Sequence, residues 1–184
     1  MATFIALLRG INVGGHHPVN MAELRSLCNS LGYGEATTYI QSGNIVFRAT
    51  SSPVDIENQL SEGILQQFGF EVPVMVLKTG EFRQIMAGNP FIADGLHDAS
   101  FLHLTLLAGN PDQEALSEKP FPTTAGEEMM ISGQAIYLYL PNGYGRTRLN
   151  NNFFEARLQL QATTRNWKTM QELLKMAEHI ERKK

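Results

Sequence analysis

Residues 4–9 form an almost unbroken apolar run, the pattern of a buried strand. Met21, Leu24, Leu27, Cys28 and Leu31 then recur at helical spacing. Asn20 is placed to cap that helix, with Glu23 three residues on as in a capping box, and Gly32 to close it. Two β-rich runs follow, 36–40 and 44–48, separated by the tight-turn signal Gln41-Ser42-Gly43. Ser52-Pro53 opens a second helix with proline at its first position. Ile56, Leu60, Ile64, Leu65 and Phe68 make its inner face, and Gly69 ends it. Residues 72–77 are a further strand. The order β-α-β-β-α-β predicts an α+β fold of the split βαβ, or ferredoxin-like, kind.

The remainder reads as a second, altered copy. A linking helix is expected over 79–88, a strand over 101–107 and a short helix over 111–117. Residues 129–131 and 135–140 should form a hairpin about Ser132-Gly133, and two helices, near 152–160 and 167–182, should finish the chain. Ile40-Gln-Ser-Gly-Asn-Ile-Val-Phe47 aligns without gaps on Met130-Ile-Ser-Gly-Gln-Ala-Ile-Tyr137, and Leu7-Leu-Arg-Gly10 on Leu106-Leu-Ala-Gly109. Duplication is one reading of that likeness; the other is that hairpins share turn chemistry, for which Ser-Gly matches are common. The loosest stretch is 89–100. The expected organisation is therefore a ferredoxin-like half over 1–88, then a second half with the C-terminal helices over 89–184.

Composition narrows the function classes. Of the 184 residues 43% are hydrophobic and 18% charged, ordinary for a packed core. No apolar stretch approaches the ~20 residues that span a bilayer, so no membrane partner is expected. The start MATFIALLRG lacks the basic segment of a signal peptide, and one cysteine, Cys28, cannot form an internal disulfide. A cytoplasmic protein is expected, with Cys28 a small core residue. A net charge of −3 argues against electrostatic coating of nucleic acid.

The candidate chemistry gathers in Arg9-Gly-Ile-Asn-Val-Gly-Gly15. In a split βαβ sheet the first and third strands are antiparallel neighbours, so this loop should meet the 41–44 turn at one sheet edge. Gly10, Gly14 and Gly15 permit close backbone approach, and successive amides in such loops can nest an anion. Arg9 supplies a fork of donors for carboxylate or phosphate. Asn12, Gln41 and Asn44 offer donors and acceptors, Ser42 a hydroxyl, and Gly43 a further turn glycine. A small anionic or polar ligand fits these groups. The alternative is that the glycines shape turns and Arg9 pairs with a carboxylate. Neither the P-loop nor the dinucleotide fingerprint is present, so no cofactor is expected.

Further basic residues stand in the second half. Pro141-Asn-Gly-Tyr-Gly-Arg-Thr-Arg148 can close over an anion with Arg146 and Arg148, or be a surface loop. Asn166 can cap the last helix; Arg165, just before it, opposes the helix dipole and needs a carboxylate or ligand anion to explain it. Trp167 continues the apolar stripe Met170, Leu173, Leu174, Ala177 and Ile180 and reads as core. In the second copy Ala108 stands for Arg9 and Ile131 for Gln41, which leaves the polar edge to the first half. His16-His17 lacks the spacing of a metal pair, and no metal is expected.

The strings Leu7-Leu-Arg-Gly-Ile-Asn-Val-Gly-Gly15, Thr38-Tyr-Ile-Gln-Ser-Gly-Asn44 and Thr164-Arg-Asn-Trp167, in this order, resemble the bacterial domain-of-unknown-function family numbered 1697. The resemblance spans essentially the whole chain. It implies a pair of ferredoxin-like halves and brings no substrate. Members commonly carry a lysine after the two glycines; here His16 stands there, so an anion would lean on the arginines.

Three functions are then open. The polar edge can bind a phosphorylated metabolite or nucleotide; it shows no general base, which favours binding or electrostatics over proton chemistry. The chain can instead be a protein-interaction domain. By fold analogy it can be an RNA-binding module with Phe47 as a stacking residue, although the signature of RNA-recognition motifs is missing.

Overall fold

The computed structural model describes residues 1–92 and 95–183. Ala93 and Asp94, within the expected junction, and Lys184, in the expected charged helix end, lie outside the described residues.

Strand β1 (Ala2–Leu8) leads to α1 (Met21–Ser30), then β2 (Gly34–Tyr39), β3 (Asn44–Ala49), α2 (Pro53–Phe68), β4 (Val74–Lys78) and α3 (Thr79–Ala87). After the single 3-10 turns Pro90–Ile92 and Ala99–Phe101 come β5 (Leu102–Leu107), α4 (Gln113–Ser117), β6 (Glu128–Ser132), β7 (Ala135–Tyr139), a 3-10 turn at Tyr144–Arg146, α5 (Asn151–Leu158), β8 (Ala162–Asn166) and α6 (Trp167–Arg182). Two compact units result: Met1–Gln84 with Glu172–Lys184, and Ile85–Gln171.

In the first unit the sheet order is β2-β3-β1-β4, all antiparallel, the ferredoxin-like arrangement. Local signals set its helices. The Asn20 side chain accepts from the amides of Ala22 and Glu23; Ser52 accepts from Asp55, with Pro53 at the first helical position; Gly69 closes α2 at φ +81°. Phe4, Ala6, Leu8, Ile45 and Phe47 point from the sheet toward Leu24, Cys28, Ile56, Leu60 and Ile64 of the two helices. Leu65, expected on that face, is 43% exposed, because the stripe of α2 is narrower than its apolar residues suggest. Cys28 is wholly buried and burial pushes its thiol up to about 12, which fits a core residue and no nucleophile.

The second unit repeats the topology as β6-β7-β5-β8. Its core joins Leu107, Ile136 and Leu138 to Leu149, Phe154 and Leu158. Here the sequence reading misses an element. Strand β8 pairs with β5 from His103↔Asn166 to Leu107↔Ala162, in the stretch between the two expected C-terminal helices to which residue spacing assigns no element. Its sequence, ATTRN, is polar over four of five positions and shows no apolar run. Thr164 is nevertheless satisfied, bonding Thr105 Oγ1 at 2.7 Å and Asn151 Oδ1 at 2.6 Å. Trp167 is buried as expected.

Candidate functional site

The expected meeting of the two loops takes place in the first unit. Leu7 pairs with Asn44, the Leu8 amide donates to the Gly43 carbonyl at 2.8 Å, and Asn12 Nδ2 donates to the Gln41 carbonyl at 2.8 Å. Gly43, at φ +76°, sits so close to β1 that an added Cβ would lie 2.6 Å from Leu8 Cβ and 2.9 Å from Ile11 Cδ1. Only glycine fits there.

Asn12 holds the 9–20 connection together. Besides Gln41, its Nδ2 donates to the Val19 carbonyl at 3.0 Å, while its Oδ1 accepts from the Val19 amide at 2.8 Å. Both amide hydrogens are thus engaged. Between Asn12 and Val19 the chain makes a small hairpin. The Asn12 amide donates to the His17 carbonyl at 3.1 Å, and the His16 amide to the Val13 carbonyl at 3.0 Å. Gly14 (φ +60°) and Gly15 (φ +79°) are its two central residues, the turn form that needs positive φ twice. The glycine pair therefore shapes a hairpin tip, and the His16 amide that would join an anion nest is bonded inward. His17 stacks on Phe70 with ring centroids 4.6 Å apart, and its Nδ1 lies 3.3 Å from the Gly10 carbonyl oxygen.

The 41–44 segment is similarly self-bonded. Asn44 is buried, and its Nδ2 donates to the Tyr39 carbonyl at 3.1 Å and to Ser42 Oγ at 2.8 Å. Gln41 is exposed, while Arg9 and Ser42 are half-buried. The Arg9 amide donates to the Pro73 carbonyl at 2.9 Å. Three non-glycine residues of this edge adopt positive φ: Asn12 (+54°), His17 (+49°) and Ile40 (+48°). Among the described residues only Glu35 and Gln159 share that conformation elsewhere. For β-branched Ile40 it is sterically costly.

The other expected site residues belong to the second unit. Arg146 ends the short 3-10 turn of the 141–148 loop and Arg148 follows it; both are exposed. Arg165 lies on β8, where its Nη1 donates to Thr163 Oγ1 and to the Thr164 carbonyl, each at 2.9 Å. Asn166 caps α6, its Oδ1 accepting from the Thr169 amide at 2.8 Å. Phe47 does not present an aromatic platform: it is wholly buried, 4.7 Å from the Tyr33 ring.

Sequence reasoning also missed that the edge is apolar at its tips. Val13 is 64% exposed and Ile40 51%. Val13 lies in a segment that its polar neighbours mark as a loop, and Ile40 reads as the last residue of the expected 36–40 strand, which ends at Tyr39, so periodicity gives no sign of either as an exposed tip. No described helix is long and apolar enough to cross a membrane.

A comparison with curated proteins returns no match. Among solved structures, the conserved bacterial protein SP0830 from Streptococcus pneumoniae is similar, with a TM-score of 0.76 and 24% identity over 96% of this chain and 98% of that one. That likeness bears on the fold. The family model for proteins of unknown function DUF1697 matches residues 1–137. The two ferredoxin-like sheets and the glycine-shaped edge thus sit within a chain that belongs to the DUF1697 family.

Proposed function

We propose that the edge formed by the 9–15 and 41–44 segments binds a small anionic or polar ligand, of the phosphorylated-metabolite or nucleotide class. One observation carries the reading: backbone strain is concentrated in and beside these segments, at Asn12, His17 and Ile40. Three left-handed non-glycine residues at one sheet edge cost of order 1 kcal/mol each, and such strain gathers at ligand sites because the surroundings hold it in place. Asn12, Gly43 and Asn44 act as the frame. The groups that would meet the ligand are the Arg9 guanidinium, the Gln41 amide and the exposed His16 imidazole. The Arg9 guanidinium and the Gln41 amide donate hydrogen bonds and take no proton, so the reading is of binding carried by these two groups.

Thermal melting against inorganic phosphate, nucleotides and sugar phosphates tests this. A ligand at 100 times its Kd should raise stability by about 2.7 kcal/mol. The rise should vanish in Arg9→Ala and shrink in Gln41→Ala. If no compound moves the melting temperature, the reading fails.

A second reading draws on Val13 and Ile40. Two exposed aliphatic side chains flanking the Asn12–Gln41 contact suit a protein partner better than a sugar or phosphate. A double Val13→Ser/Ile40→Ser variant that loses a partner while keeping anion binding would favour it.

A further inference from the structure

A groove of about 820 Å³ lies in the first unit beside β2, two places from β1 in strand order. Strand β2 is an edge strand: it pairs with β3 on one side only. Its Ala36 and Thr37 form one wall, and the last turns of α6 form the other. Ala36, Met176 and Ile180, the less exposed of the lining residues, give it an aliphatic floor. Lys175, His179, Arg182 and Lys183, all exposed, make the rim.

The charge of this groove is opposite to that of the chain. The protein carries a formal −3, yet three Lys or Arg residues line the groove against one acid, Glu35. Glu178 and Glu181 of α6 bond Arg83, at 3.0 and 3.3 Å, and are not part of the lining. The rim cations do have partners: Lys175 with Glu172 at 2.7 Å, Arg182 with Glu178 at 3.9 Å, and Lys183 with Glu35 at 3.6 Å. Exposed pairs of this kind contribute only about 0–1 kcal/mol, so an incoming carboxylate can replace them. Glu35 itself sits at a bulge, φ +53°, where the β2–β3 register shifts between Gly34 and Thr37. Bulges re-aim side chains at strand edges. This one places Glu35 between Lys183 and Arg48 and leaves the remainder of β2 as an open edge.

We propose that the groove receives an acidic polypeptide segment in extended form, laid along β2 between the strand and α6. The open edge supplies backbone donors and acceptors, the aliphatic floor takes every second side chain, and the rim takes the acids between them. Nucleic acid suits the site less well. The lining has no aromatic ring other than the imidazole of His179 on which bases could stack. A two-fold pairing of β2 with a second copy would bring two cationic rims together.

Fluorescence anisotropy on the full chain tests this with a labelled decapeptide of alternating Glu and Val. Saturable binding is expected at about 50 mM salt, weakening by at least about fivefold at about 200 mM as the charges are screened. The double variant Lys175→Glu/Lys183→Glu should lower affinity at least about tenfold, and Lys175→Gln/Lys183→Gln by an intermediate factor. Hydrogen exchange over residues 34–39 should slow when the peptide binds. No binding overturns the proposal. So does equal binding of a Lys-Val peptide or of single-stranded RNA, an unchanged affinity in both double variants, or binding without slowed exchange over 34–39.

Discussion

In the first unit the connection from β1 to α1 runs over residues 9–20 and folds into its own hairpin; in the second, the matching connection is only 108–112. The frame around the two is the same. The Leu8 amide bonds Gly43 and the Arg9 amide bonds Pro73; the Leu107 amide bonds Gln134 and the Ala108 amide bonds Gln161, all at 2.8–2.9 Å. Ala108 therefore does stand where Arg9 stands. The turns between the central strands differ as well. Tyr39 and Asn44 are paired across Ile40 to Gly43, whereas Ser132 and Ala135 are paired across Gly133 and Gln134 alone. The gapless alignment of 40–47 on 130–137 is thus off by one position, and Gln41 belongs to an enlarged turn with no partner residue in the second half. A ferredoxin-like sheet tolerates shortening at this edge. The first unit keeps both enlargements, and they touch each other.

The comparison is most sharply tested at Gly43. Gly43→Ala forces a Cβ into Leu8 and Ile11 from a left-handed backbone and should cost about 3 kcal/mol or more. Its counterpart Gln134→Ala should stay within about 0.5 kcal/mol. Urea melts of the two variants decide this, and equal costs would break the claim that the edges differ in packing. Asn12→Ala removes three hydrogen bonds and should cost about 2 kcal/mol, with hydrogen exchange quickening over 9–20 while the second unit is untouched. A smaller change of opposite sign is expected from Ile40→Gly. Relief of a β-branched left-handed residue should add about 1 kcal/mol, or roughly 2–4 °C in melting temperature. If the melting point falls, Ile40 earns more from contacts than it loses to strain.

The smallest effect concerns the strand pair itself. Phe4 faces Phe47 in the first unit; by register His103 takes the place of Phe4 and faces Leu138. Burial holds the His103 imidazole below its ordinary pKa, against a partly opposing contact with the Phe101 carbonyl. The unfolded chain then takes up a proton first as pH falls through about 6.5, so this residue removes stability below that pH and none above it. In His103→Gln the melting temperature should depend less on pH between about 5 and 7. An unchanged pH profile would show that the imidazole stays solvated.

Much of this architecture is legible in residue spacing. Both helices of the first unit begin and end at their capping residues, because an N-cap or a left-handed glycine is a local matter of a few backbone groups. The juxtaposition of the 9–15 and 41–44 segments followed from strand order alone. Strand β8 did not, because its threonines and arginine are satisfied by hydrogen bonds to β5 and Asn151 that lie far away in sequence. Strand order brings the two segments of the candidate edge together, but it does not say which of their side chains bond inward. Asn12 and Asn44 look like ligand contacts in a sequence and prove to be the frame, since only the folded chain brings the carbonyls of Gln41, Val19 and Tyr39 to their amides.

By itself the sequence determined the first split βαβ half with its helix caps, the central hairpin of the second half and the place where polar loops meet, all of which rest on short-range periodicity and turn chemistry. Tertiary structure alone decided the rest: the hairpin form of the glycine loop, the left-handed strain at Ile40, the enlarged turn around Gln41 and the cationic groove beside β2. These depend on which distant groups become neighbours, and hydrogen bonding, steric exclusion and charge act between neighbours in space.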